Sequence, residues 1–182
     1  MKTLQDALKE KSKEEKHFEF TDKTKTLSDG TILKQIKAIK DLPIHNVKKG
    51  DIGGWIGNPE NLSGNAWVSE NAWVYEDAQI SGNAKVSGNT WVSGKARVSG
   101  NAQVSDNAWV SGKAWIYGNT WVSGDARIFG NAQVSGDTHI FGTAWVSGNA
   151  KVSGNAQVSG NARVSGNAKI SENKIITSGE YK

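Results

Sequence analysis

The sequence predicts an all-β solenoid, and three observations predict it. From Gly64 to Ser171 its 108 residues divide into 18 hexads with no insertion or deletion. The fifth position is Val or Ile in all 18, from Val68 to Ile170, and the third is Ala except at Thr90, Thr120 and Thr138. The first position is Gly except at Glu70, Glu76 and Asp106, and the second is Asn, Asp, Lys or Thr. Positions three and five lie on the same side of a strand, because successive side chains alternate. A small residue and a β-branched one there fill a narrow interior, which leaves positions four and six outside. A glycine followed by a short polar residue is the chemistry of a tight corner, where φ is free to be positive. Each hexad therefore reads as one short strand and one corner. A helix is excluded, since six residues is a poor helical period and each interior glycine costs about 1 kcal/mol. The unbroken β-branched position also excludes the disordered linker that 21 Gly would otherwise suggest.

The elements follow in chain order. Residues 3–16 suit a short helix, with Thr3 and Asp6 at capping-box-like positions and an apolar face of only Leu4, Ala7 and Leu8. Residues 17–57 read as a small β-rich cap: "HFEFTD" and "TILKQIKAIK" as strands, "SDG" as the turn before the second, and the Gly-rich "GDIGGWIG". Ile32, Ile36 and Ile39 also fit helical spacing, so a helix stays open there. "NPENLS" before Gly64 and "ENKIIT" after Ser171 are worn copies of the hexad. The expected division is a helix and β-rich cap over 1–57, then the solenoid over 58–182 with a C-terminal cap strand. Caps are expected because the open ends of a solenoid are exposed sheet edges.

Charge divides unevenly. Residues 1–50 hold 12 Lys and 8 acidic residues, while 51–182 hold 10 basic and 10 acidic, so the formal +4 resides in the first 50. A neutral repeat region is the opposite of the basic stripe that nucleic-acid binding needs, and no nucleic acid is expected as a partner. The absence of Cys suits a reducing compartment. The charged N-terminal residues carry no apolar signal region, and no stretch approaches the roughly 18 apolar residues of a membrane span. A cytoplasmic protein with no membrane association is the expectation.

The pattern V-S-G-N-A-x resembles the hexapeptide-repeat superfamily, and the resemblance covers Gly64–Ser171. It implies a left-handed parallel β-helix of triangular cross-section with three hexads per turn, here about six to seven coils behind a small N-terminal α/β cap. With the "KKGDIGGWIG" segment the chain also resembles the short hexapeptide-repeat proteins of phages and prophages, including the YdcK-like group, which implies a bacterial host. Members of the superfamily commonly assemble as trimers with parallel axes. Many are acyltransferases and others carbonic anhydrases, and these need a catalytic histidine near a subunit boundary, usually with an extruded loop, or three histidines on a metal. This chain has His17, His45 and His139 only, one of them in the coils, and no loop interrupts the hexads. No catalytic residue, metal site or cofactor is expected.

Function in the rod is then written at the changing fourth position, which holds seven Trp, four Gln, three Lys, three Arg and one His. Sorted by the implied 18-residue turn, the first face runs Trp67, Lys85, Gln103, Trp121, His139, Gln157. The second runs Trp73, Trp91, Trp109, Arg127, Trp145, Arg163, and the third Gln79, Arg97, Trp115, Gln133, Lys151, Lys169. The second face is a tryptophan ladder with two arginines in it, and its six residues are the candidate binding site. Such a ladder can simply bind coil to coil, since aromatic and Arg–Trp contacts contribute about 0.5–1.5 kcal/mol each. A row of exposed indoles also favours a covered surface, which makes a homo-oligomer, a trimer first, the expected partner. Capture of a host protein or of a small aromatic or nucleotide ligand is the alternative.

Overall fold

The computed structural model describes residues 16–182. The helix expected over 3–16 falls outside the described residues, apart from its last position. Each hexad forms a two-residue strand at positions four and five, as at Trp109–Val110, and then turns. Strands 18 residues apart pair in parallel, so Trp109 stands between Trp91 and Arg127. The strands sort into sheets of ten, seven and six, which are the three expected faces. Coil is tied to coil by backbone: the Trp91 amide donates to the Ala108 carbonyl and the Ser93 amide to the Val110 carbonyl, each at 3.0 Å.

Inside, the Ala and Val/Ile side chains form one continuous buried core. The three Thr of the third position are buried too, and each donates its hydroxyl to the carbonyl three residues back. Thr90 reaches Ser87 at 2.6 Å, Thr120 reaches Tyr117 at 2.7 Å and Thr138 reaches Ser135 at 2.5 Å, so no hydroxyl is left unpaired in the core.

The repeat is longer than its unbroken motif. Trp55 pairs with Trp73, Leu62 bridges Ile80, and Ile175 pairs with Gln157. The coils thus run from Ile52 to Thr177, which is 126 residues or seven turns of 18. A last strand, Glu180–Tyr181, joins the ten-stranded sheet beside Arg163–Val164.

At the corners the first position takes the left-handed backbone. Gly112 has φ +69°, and a Cβ there would lie 2.8 Å from the Gly130 amide nitrogen on the coil above. Glu70, Glu76, Asp106 and Glu172 adopt the same conformation, with φ between 55° and 63°. Three of them turn the side chain to use: Glu70 accepts from the Gly88 amide at 2.8 Å, Asp106 from the Gly124 amide at 2.9 Å, and Glu76 from the Gly94 amide. The acid offsets its strained backbone by satisfying an amide that the ladder leaves open.

The N-terminal segment is a β-hairpin laid on the first coil. Strand β1 (Phe18–Thr26) pairs antiparallel with β2 (Ile32–Ala38), and β2 pairs antiparallel with β3 (Ile52–Ile56), which opens the first coil. Of the two spacings left open for Ile32, Ile36 and Ile39, the strand prevails: Ile36 is buried while Ile32 and Ile39 are exposed, so they share no helical face. Gly53 permits the close crossing, since a Cβ there would lie 2.6 Å from Ile36 Cγ1. Two histidines hold the segment down. His17 Nε2 donates to the Ala66 carbonyl and His45 Nε2 to the adjacent Asn65 carbonyl, both at 2.8 Å. One expectation is corrected here. Trp67, expected to face solvent like every fourth-position residue, is buried at 1 % exposure, because the segment carrying His17 packs over its coil.

Candidate functional site: the tryptophan face

The six residues of the second face stand in one row on the ten-stranded sheet, in the order expected. Each projects outward because the Val or Ile beside it projects inward. The Trp73 and Trp91 rings stack with centroids 5.0 Å apart and planes 5° apart. The next pair departs from this: Trp109 meets Trp91 at 6.1 Å with planes 65° apart. Arg127 then lies between two indoles, 5.7 Å from the Trp109 centroid and 5.3 Å from that of Trp145. Arg163 covers Trp145 at 4.8 Å and reaches Glu180 at 4.0 Å, and Phe129 packs edge-on against Trp145 at 6.1 Å. Trp91 and Trp109 remain 41 % exposed, while Trp73 and Trp145 are half-buried.

The row has members that the motif did not reveal. Trp55 stands at its head, in register with Trp73, and Lys25 from β1 sits 4.3 Å from the Trp55 ring and 5.3 Å from the Trp73 ring. The signal for Trp55 was present, since it precedes Trp73 by 18 residues, but its hexad, "IGGWIG", lacks the Asn-Ala corner. Nothing in the sequence marked Lys25, which arrives by way of the hairpin. At this end Trp73 Nε1 and Gln35 Oε1 are both buried without a hydrogen-bond partner, a donor and an acceptor on strands of the same sheet.

Where the parallel stack ends, a groove of about 530 Å³ opens. One wall is Trp91, Trp109 and Arg127; the other is the corner row Asn89, Asn107, Asp125 and Thr143, with Ala108 between. The corner row is itself ordered: Asn89 Nδ2 donates to Asn107 Oδ1 at 3.1 Å, and Asn107 Nδ2 to Asp125 Oδ1 at 3.0 Å.

Five stretches of the chain, residues 78–94, 96–112, 102–118, 121–139 and 156–172, match the family described as the YdcK beta solenoid repeat. The chain is a parallel β-solenoid that is similar to that family over these stretches. The matched stretches include Trp91, Trp109, Arg127 and Arg163, while Trp73 and Trp145 lie between or before them. No curated protein matches the chain.

The remaining chemistry-bearing residues stand apart from the ladder. His139 is on the second-largest sheet, edge-on to Trp121 at 5.9 Å. His45 lies in the turn Pro43–His45, where burial lowers its pKa below the ordinary value; the Asn65 carbonyl opposes the shift and the Lys85 charge adds to it. Among the described residues no three or more His, Asp or Glu side chains gather as metal ligands, and no helix is long and apolar enough to cross a membrane.

Proposed function

We propose that this protein is a non-catalytic binding module whose working surface is the Trp/Arg face. The observation that carries the reading is the row itself, in which exposed Trp91 and Trp109 stand next to each other and are flanked by cation-capped indoles, whereas the exposed Trp115 and Trp121 stand singly on the other two faces. The module self-associates through this face, as a trimer first, since aromatic anchors dominate most interfaces. The non-catalytic part rests on coils that no loop interrupts and on histidines bound to backbone carbonyls or lying at an indole edge. A phage or prophage origin and a place in the host cytoplasm belong to the same reading, supported by the resemblance of "KKGDIGGWIG" and by the lack of Cys.

Light scattering on the purified protein tests it. Replacing Trp91 and Trp109 together with Ser leaves core and corners intact, so the fold is expected to survive and the assembly to dissociate. Replacing Gln79 and Arg97 on the third face, also one coil apart, is the control and should leave the assembly whole. An assembly that ignores the Trp pair and fails with the control places the contact on another face.

A second reading has its own observation in its favour. The groove beside Trp91 and Trp109 has the volume and the mixed walls of a small-ligand site. On this reading the face takes up a ring-bearing molecule rather than a second copy.

A further inference from the structure

We infer that the groove along the Trp/Arg face binds a neutral linear oligosaccharide lying parallel to the solenoid axis. The inference rests on this face being the working surface and names an occupant for it.

The first argument is the break in the stack. Trp73 and Trp91 lie face to face at 5°, so each ring shields one face of the other. The plane of Trp109 is turned 65° from that of Trp91, so these two rings meet edge to face and neither covers the other as Trp73 covers Trp91; both stay 41 % exposed. The groove opens at this rung, giving a flat, apolar platform at its wall. The C–H face of a pyranose ring is the complement of such a platform.

The second argument is the opposite wall. An Asn amide offers two N–H donors and two lone pairs. Along the row Asn89, Asn107, Asp125, each Asn amide spends one N–H on the next rung, which fixes its orientation and leaves a second donor for a ligand. Donors and acceptors then alternate in a line across from the indoles, as hydroxyl groups on the rim of a sugar require.

Charge and spacing select among ring-bearing ligands. Arg127 and Asp125 both line the groove and cancel, and Arg127 is already held between Trp109 and Trp145. A phosphate would meet no surplus positive charge. The polar rungs repeat at the coil step, about 4.8 Å, over about 14 Å from Asn89 to Thr143. A polar row of that length suits a linear ligand of several rings rather than a single ring.

Titration with cellohexaose and chitohexaose, followed by intrinsic tryptophan fluorescence and calorimetry, tests this on the full chain. Saturable binding is expected, stronger for the hexaoses than for the disaccharides. It should weaken about tenfold or more in Trp109→Ala and in Asn107→Ala, and stay unchanged in Trp115→Ala on the third face. Circular dichroism and the melting temperature confirm that each variant is folded. The inference is overturned by absence of saturable binding, by binding indifferent to Trp109→Ala, by equal affinity for disaccharide and hexaose, or by preferential binding of oligo(dT). The two readings separate cleanly. If the Trp91→Ser/Trp109→Ser variant dissociates an assembly while the parent ignores every saccharide, the face is a subunit contact and the glycan inference falls. If glycan binding is lost in the variants and the oligomeric state never changes, self-association falls and the glycan inference stands.

Discussion

The coils around residues 88–147 and those of 148–171 are built from the same hexad and differ mainly outside. Both pack small and β-branched residues inward with no more than 6 % exposure, with Thr90, Thr120 and Thr138 replacing Ala in the earlier coils alone, and both tie coil to coil through the same backbone bonds. Outside, the earlier coils carry Trp91, Trp109, Trp115, Trp121 and Trp145, whereas the later ones carry Lys151, Gln157, Arg163 and Lys169. A parallel ladder needs only the inward residues and the corners to propagate, so the outward position is free of the fold. Aromatic residues there are consequently a property of a place along the rod, and that place coincides with the groove.

The comparison is broken most directly from inside, where it predicts equality. Val110→Asp and Val158→Asp should each cost about 4 kcal/mol or more, because both side chains are wholly buried and a carboxylate finds no partner. Ser111→Asp, one residue outward, should stay within about 1 kcal/mol. Thermal unfolding of the three variants is the measurement. A much smaller loss at Val158 than at Val110 would mean that the later coils are less well packed than they look.

Corners come next in size. Gly112→Ala places a Cβ 2.8 Å from the next coil's backbone at φ +69°, and about 2–3 kcal/mol of destabilisation is expected. Asp106→Gly, at the equivalent corner, trades a strained backbone against the bond to the Gly124 amide and should change stability by less than about 1 kcal/mol. Denaturant midpoints would reveal equal losses if the acid were indispensable rather than tolerated.

The outer surface should then show the inequality. Trp145→Ala removes a ring that touches Arg127, Arg163 and Phe129, at an expected cost of about 1–2 kcal/mol. Lys151→Ala, exposed and in register with Lys169, should be neutral within about 0.5 kcal/mol. Similar costs at both sites would show that the ladder adds nothing to coil cohesion.

Most of this was legible in the sequence because a period of six leaves little to tertiary context. The inward pair and the corner follow from counting, and the sorting of Trp73, Trp91 and Trp109 onto one face follows from the 18-residue turn that the family resemblance implied. What escaped lies where the count is interrupted. Trp55 keeps the 18-residue register, but its hexad replaces Asn-Ala with Gly53-Gly54: a Cβ at Gly53 would collide with Ile36 of β2, and one at Gly54 with Val68 and the Ala72 carbonyl of the coil. Lys25 and the covering of Trp67 depend on where a hairpin folds back, and no local pattern encodes that. The groove was hidden for another reason: identical residues at identical spacing do not say that one ring in the row is turned by 65°.

The smallest expected effect concerns the hairpin's hold on the first coil. His45 is partly buried between the Pro43–His45 turn and the coils, and that burial lowers its pKa below 6.5, with the Asn65 carbonyl opposing and Lys85 reinforcing the shift. Above pH 6.5 the ring is neutral in both folded and unfolded chains, and its contribution is fully present. As pH falls below that value the unfolded chain takes up a proton that the folded chain resists, so stability declines until the folded pKa is passed. His45→Gln keeps a side-chain N–H donor and removes the titration. The difference in melting temperature between parent and variant should therefore be constant above neutrality and shift against the parent on acidification, while His17 and the carboxylates, common to both, cancel. A difference that moves in the parent's favour at low pH would mean that the bond to the Asn65 carbonyl outweighs burial, and that the charged ring, not the neutral one, clamps the hairpin.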